Sequence, residues 1–354
     1  MARNLFDAHR QWASRPPDER FSSLDNLLEF AGKRKRSSIE DIRPLKGLRL
    51  FDTVDGGLTL NGSIQTSLLT NWAFTQLCQQ VRAPSGYLRS LSPEIAAQCL
   101  EYGLNAGNGV ESKILIRKND TVQENKPQNM VSAFTSPNYG RIWDYDVVEA
   151  ILEAIQDSPW HTPPSASEFN SGIYASDRDM FVFLVSDENP VEIGNARLGR
   201  GFFSWNSETG AATFGLTTFL YNYVCGNHIV WGAEQVEELR IIHRNHALNR
   251  FYSDAIPLMN RFIENRCLGE TVKDTVARAM DNRLGDSLDD VRNRLQAMQF
   301  TKGEIETAWG YAASEGEDMR TTWGIVQGLT AYARNLPHID KRMNLERRAG
   351  ALLN

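Results

Sequence analysis

Leu48-Arg-Leu-Phe-Asp-Thr-Val54 and Leu58-Thr-Leu-Asn-Gly-Ser-Ile64 flank Asp55-Gly56-Gly57, two short apolar-rich runs around a turn. Asp-Gly and Gly-Gly supply the positive φ of a tight turn, so the stretch predicts a hairpin of antiparallel strands. Working outward, strands are predicted at residues 113–118, 130–135, 180–186 and 201–207. Helices are predicted at 67–81, with Leu68, Trp72, Leu77 and Val81 on one side, and after Ser92-Pro93-Glu94, where Ser92 caps and Pro93 suits the first helical position. From residue 266 the pattern changes. Apolar residues recur at helical spacing over 271–282, 288–298, 302–314, 321–333 and 341–353, punctuated by Gly269, Gly285, Gly303 and Pro337. Strands first and helices last predict an α+β fold: a mixed, largely antiparallel sheet core with flanking helices, then an all-helical C-terminal region. Three zones follow: a helical and basic arm (1–46), an α+β core (47–265) and a helical region (266–354).

The chain has 354 residues, 41% apolar and 23% charged, enough to bury a core without disulfide or metal staples. No apolar run reaches the length of a membrane span. The start, Met1-Ala-Arg-Asn-Leu-Phe-Asp, lacks the apolar centre of a signal peptide. Cys78, Cys99, Cys225 and Cys267 are widely spaced and read as reduced thiols. A soluble protein of the cytoplasm, with no membrane partner, is expected.

The net charge of −6 gives no global field for nucleic acid, but the charge is segregated. Lys33, Arg34, Lys35, Arg36, Arg43, Lys46 and Arg49 stand against Glu40 and Asp41, a local balance of +5 (seven minus two). Such a track is a phosphate path if its charges are unpaired, and a solvated mobile arm otherwise. Further along, residues 233–251 read as one helix with Arg240, His243, Ala247 and Arg250 on one side, so that Arg240, Arg244 and Arg250 become candidate phosphate contacts. Pairing with neighbouring carboxylates is the plainer alternative. Alternation over 201–207 places Phe203 and Trp205 on one face, where rings stack single-stranded bases or fill a core.

No phosphate-binding Gly-rich loop, dinucleotide fingerprint, nucleophile elbow or zinc-protease motif is present in the sequence, and no cofactor is expected. Cys225, His228, His243 and His246 form two pairs, each with two intervening residues, and thiolate plus imidazole is zinc-ligand chemistry. On one helix, however, His243 and His246 would lie about 60° apart, which strains a shared ion. A turn at 225–227, with Gly226 at positive φ and Asn227 bonding the local backbone, is the competing reading. Asp144 and Glu208 are candidate carboxylates whose pairing the sequence does not reveal.

Asn71-Trp-Ala-Phe-Thr-Gln-Leu77, Ala83-Pro-Ser-Gly-Tyr-Leu88, Asn206-Ser-Glu-Thr-Gly210, Val224-Cys-Gly-Asn227 and Thr322-Trp-Gly-Ile-Val-Gln327 stand in order along the chain. In residues and spacing they resemble the blocks of a phage/plasmid-like family catalogued as domain of unknown function 932. The resemblance runs from Leu58 to the C-terminus and departs at His228, where the family pattern leads us to expect glycine. It implies a mobile-element gene near replication, recombination or defence functions, and no established catalytic residues.

Together these readings predict a non-catalytic nucleic-acid-binding protein of a phage or plasmid, a homo-oligomer acting on single-stranded DNA. A metal-dependent nucleic-acid enzyme and a protein-binding anti-defence factor are the alternatives.

Overall fold

The structure, a computed structural model, describes residues 12–13, 15–53, 56–61, 67–107, 109–118, 129–163, 172–224, 226–229, 238–265 and 270–354. After strand β1 (Glu19–Arg20), Ser23 starts helix α1 (Leu24–Ser37) by accepting the Asn26 N–H at 3.1 Å. Arg34, Lys35 and Arg36 crowd its last turn, where the helix dipole favours cations. The Ser37 and Ser38 hydroxyls both donate to the Arg34 carbonyl, and the chain leaves the helix directly as strand β2 (Ser38–Pro44). The described part of the expected N-terminal arm is therefore structural: β1 pairs with a later strand, α1 buries Leu24 and Leu27, and β2 joins a sheet.

Strands β3 (Arg49–Asp52) and β4 (Leu58–Asn61) form the expected antiparallel hairpin, from Arg49 opposite Asn61 to Asp52 opposite Leu58. Residues 67–81 split. Strand β5 (Ser67–Leu69) pairs with β4, and helix α2 (Asn71–Gln80) starts at Thr70, whose hydroxyl accepts the Ala73 N–H. Helices α3 (Ser85–Ser90) and α4 (Pro93–Ala106) follow, the latter capped by Ser92. Strands β6 (Glu111–Lys118) and β7 (Asn129–Thr135) complete a six-stranded sheet in the order β2-β6-β7-β5-β4-β3. Its pairs are antiparallel except β5 with β7.

The edge strands β2 and β3 are joined by only residues 45–48, which turn back on themselves through a Leu48 N–H to Leu45 carbonyl bond. Five extended residue steps reach about 18 Å, whereas six flat strands span about 24 Å. The sheet must curl. It curls around α2, whose Phe74, Leu77 and Cys78 are fully buried against Leu58, Leu69, Ile114 and Val131.

Helix α5 (Asp144–Ile155) leads into the second sheet: β8 (Trp160–His161), β9 (Ile173–Ala175), β10 (Met180–Ile193), β11 (Ala196–Asn206), β12 (Phe214–Asn222), β13 (Asn227–Ile229) and β14 (Leu239–Ile241). All its pairings are antiparallel. Both faces are buried, so the strands carry continuous apolar runs. Val182, Leu184, Phe202 and Phe214 pack toward α1 and α5, while Phe181, Phe183, Phe203 and Trp205 form the opposite core. Residues 239–251 are not one helix: β14 pairs with β12, a turn covers 242–246, and α6 (Ala247–Arg250) begins only then. Cross-strand burial of Leu239 and Ile241 overrides the helical spacing there.

A π-helical turn (Phe251–Ala255) and α7 (Ile256–Glu264) follow, then helices α8 (Glu270–Asp281), α9 (Leu288–Ala297), α10 (Lys302–Glu315), α11 (Thr322–Arg334) and α12 (Ile339–Gly350). The architecture is α+β with a helical C-terminal region. Ser287 and Thr301 build capping boxes with Asp290 and Glu304. Helix α12 lays Ile339 and Met343 on the aromatic face of the second sheet. Among the described residues no helix is long and apolar enough to cross a membrane.

Candidate nucleic-acid interface

Five of the seven cations in the 33–49 track are held by ion pairs or hydrogen bonds. Lys33 pairs with Glu29 one helical turn away, Lys35 reaches Asp146 at 2.5 Å, Arg43 pairs with Asp41, and Arg49 reaches Glu101 at 3.3 Å. Arg34 turns inward, donating to the Ser176 carbonyl at 2.9 Å, with its guanidinium 4.2 Å from the Phe30 ring centre. Burial and the neighbouring Arg117 lower the pKa of Arg34 from its ordinary value. Glu40, the carboxylate nearest in sequence, is taken by Arg141. What remains exposed and outside any ion pair among the described residues is Arg36, whose charge acts on Glu29 from a distance, and Lys46, at opposite ends of β2.

A third such cation comes from another strand. Ser38 stands opposite Arg117 in the β2–β6 ladder, so exposed Lys118 lies at the Arg36 end. Proximity in sequence did not reveal it; only the strand register brings it there.

Below this edge, Arg117 pairs with Glu208 in a closed polar junction between the two sheets. Glu208 Oε1 accepts the backbone N–H of Asp144 at 2.8 Å, and Asn206 Nδ2 donates to Asp144 Oδ1 at 2.7 Å. Glu208 is 2% and Asp144 6% exposed. Burial, with the Glu208 charge beside it, raises the Asp144 pKa well above its ordinary value. The two candidate carboxylates do come together, each engaged by protein groups. Such a cluster orients two sheets; it presents no open face to a substrate.

Phe203 and Trp205 lie on one side of β11, as alternation predicts, but that side is core. Phe203 is fully buried and stacks on Phe183 with centroids 5.1 Å apart; Trp205 is 5% exposed. Arg347 from α12 covers Trp205, its guanidinium 4.8 Å from the ring centre. Neither ring is available to a base. Of the second basic group, Arg240 pairs with Glu238 at 2.6 Å and Arg250 with Asp254 at 2.9 Å, while Arg244 is exposed in the turn before α6. The expected single stripe does not form, because β14, the turn and α6 point these residues from different backbones.

The Cys/His set also separates. His228 sits in the aromatic core, where Arg342 donates to its Nδ1 at 2.9 Å, while His243 stacks on Tyr139 and bonds the Gly140 carbonyl through Nδ1 at 3.2 Å. His246 is exposed, and Cys225 lies outside the described residues. Among the described residues no group of three His, Cys, Asp or Glu side chains converges to hold a metal ion. Gly226 does take φ +70°, but Asn227 reaches Gln327 Oε1 in α11 at 2.6 Å rather than the local backbone. Comparison of the chain with family models, curated proteins and solved structures gives no match.

Proposed function

We propose that this is a non-catalytic nucleic-acid-binding protein of a phage or plasmid, acting as a homo-oligomer on single-stranded DNA in the cytoplasm of its host. The contact is with phosphate at the two ends of β2. The observation that supports it is the trio Arg36, Lys118 and Lys46, exposed cations held in no ion pair among the described residues and set at the two ends of one strand. The five-block resemblance supplies the mobile-element context. Base stacking has no part in this reading, since Phe203 and Trp205 are enclosed, so binding is indifferent to sequence.

Three phosphate contacts on a single strand give a log–log salt slope of about −2, at roughly 0.7 per contact. The test is fluorescence anisotropy of labelled single-stranded DNA across salt concentrations. Wild type should bind at low salt with that slope. The triple variant R36A/K46A/K118A should flatten the slope and weaken all sequences alike. An Arg34 or Lys35 substitution is a poor probe, because it breaks interior contacts. No binding at low salt, or an unchanged slope in the triple variant, ends the proposal.

A further inference from the structure

The curled sheet has two edges, and they differ. At β3 the outward Leu50 N–H is taken by Glu101 of α4 at 2.6 Å, and the same carboxylate holds Arg49. That edge is closed. At β2 the Leu45 N–H continues the β6 ladder to the Val110 carbonyl, which sets the parity of the strand. Ile39, Asp41 and Arg43 exchange backbone bonds with β6; Glu40, Ile42 and Pro44 turn theirs away from it. Pro44 stands where a missing N–H costs the ladder nothing. Ile42 is 52% exposed, and a concavity of about 440 Å³ opens beside it, lined by residues 41–44, 46–48 and Asn61.

We propose that this open β2 edge pairs antiparallel with the β2 edge of a second copy of the chain, about a two-fold axis at Ile42. This deepens the oligomeric part of the proposed function and rests on it. A two-fold antiparallel pair sets some residue opposite itself, in either a hydrogen-bonded or a non-hydrogen-bonded pair. Centring on Glu40, Asp41 or Arg43 opposes two like charges, and centring on Pro44 lacks both N–H groups at the axis. Centring on Ile42 avoids both, and leaves unpaired only the Glu40 carbonyl of each copy, which faces a proline. Ile42 exchanges both bonds with Ile42 of the second copy, and the Glu40 N–H meets the Pro44 carbonyl. Asp41 and Arg43, which already pair within one chain, stand opposite Arg43 and Asp41 of the other. Like charges are never opposed, and the exposed isoleucines cover each other. The six-stranded sheet then runs unbroken through the dimer.

Sedimentation without DNA tests this apart from nucleic-acid binding. Wild type should run at twice the chain mass. D41R and R43D, each folded by circular dichroism, should each weaken self-association about tenfold or more, because like charges then face across the axis. Mixed together they should restore the dimer: each chain still has like charges at 41 and 43, but every cross-axis pair is opposite. Ile42→Pro, which removes an outward N–H and spares the β6 ladder, should also dissociate it. A monomeric wild type overturns the proposal. An oligomer untouched by all three variants overturns the β2 assignment while leaving the oligomeric reading standing, and DNA binding by a monomer leaves the phosphate reading standing.

Discussion

The backbone N–H of Asp144 donates to Glu208 Oε1 at 2.8 Å, so one buried carboxylate sits on the first turn of the helix that carries the other. The positive end of α5 and the Arg117 guanidinium both stabilise charge on Glu208. Burial and that charge together raise the pKa of Asp144. The groups come from β6, from the turn after β11 and from α5, so this is where the two sheets are held in register.

Glu208→Gln leaves Arg117 buried without its anion. A loss of about 3–5 kcal/mol is expected, read from the denaturant midpoint at constant slope. Removing the like charge also returns Asp144 toward the ordinary carboxylate range. In wild type the raised Asp144 pKa disfavours the folded state as pH rises through it, so the variant should lose less stability on that limb. A loss under about 1 kcal/mol would show that the cluster is not a strut.

Burial lowers His243 to about 4. Its folded form takes up a proton later than the unfolded chain, so its contribution is present above about pH 6.5 and is lost as pH falls toward 4, at most about 3 kcal/mol. Asp179 runs the other way: burial raises it to about 6, so ionisation costs the folded state between about pH 4 and 6. The two partly cancel in wild type. Urea midpoints against pH should show a steeper acid loss in Asp179→Asn and a shallower one in His243→Gln; parallel profiles for all three would contradict the assignment.

Phe203→Ala should cost about 3–5 kcal/mol, since the ring is fully buried between Phe183 and Trp205. Single-strand affinity of the folded fraction should not change. A folded variant that loses affinity at constant salt slope would place a base on this ring after all.

Two glycines separate strain from crowding. Gly226→Ala forces a side chain into left-handed backbone at φ +70° for about 1–2 kcal/mol. At Gly215, an added Cβ would lie 1.9 Å from the Trp205 ring, so Gly215→Ala should cost about 3 kcal/mol or more. Melting temperatures should rank the two in that order.

Local chemistry made much of the fold legible. The Gly56 turn, the Ser92-Pro93 start of α4 and the punctuated C-terminal helices each rest on neighbours a few residues away. Residues 67–69 and 239–241 carry helical spacing yet form strands, because their partners, β4 and β12, lie elsewhere in the chain. The candidate interface depends on distant partners in the same way. Lys35 and Arg49 read as free until Asp146 and Glu101, more than 50 residues away, meet them. The relation of Lys118 to Arg36 exists only through strand register, so no local pattern carries it.

The link at residues 45–48 also sets an order of events during synthesis. β2 and β3 leave the ribosome together, but β2 finds its neighbour β6 only once Arg117 has emerged, 73 residues after Pro44 (117 − 44). At 5–20 residues per second that is about 4–15 s during which β2 is unpaired on both sides. The nascent chain is most open to wrong association in that interval. Asp41, Arg43 and Pro44 then act as guards, since charge and proline are what discourage a lone strand from pairing indiscriminately.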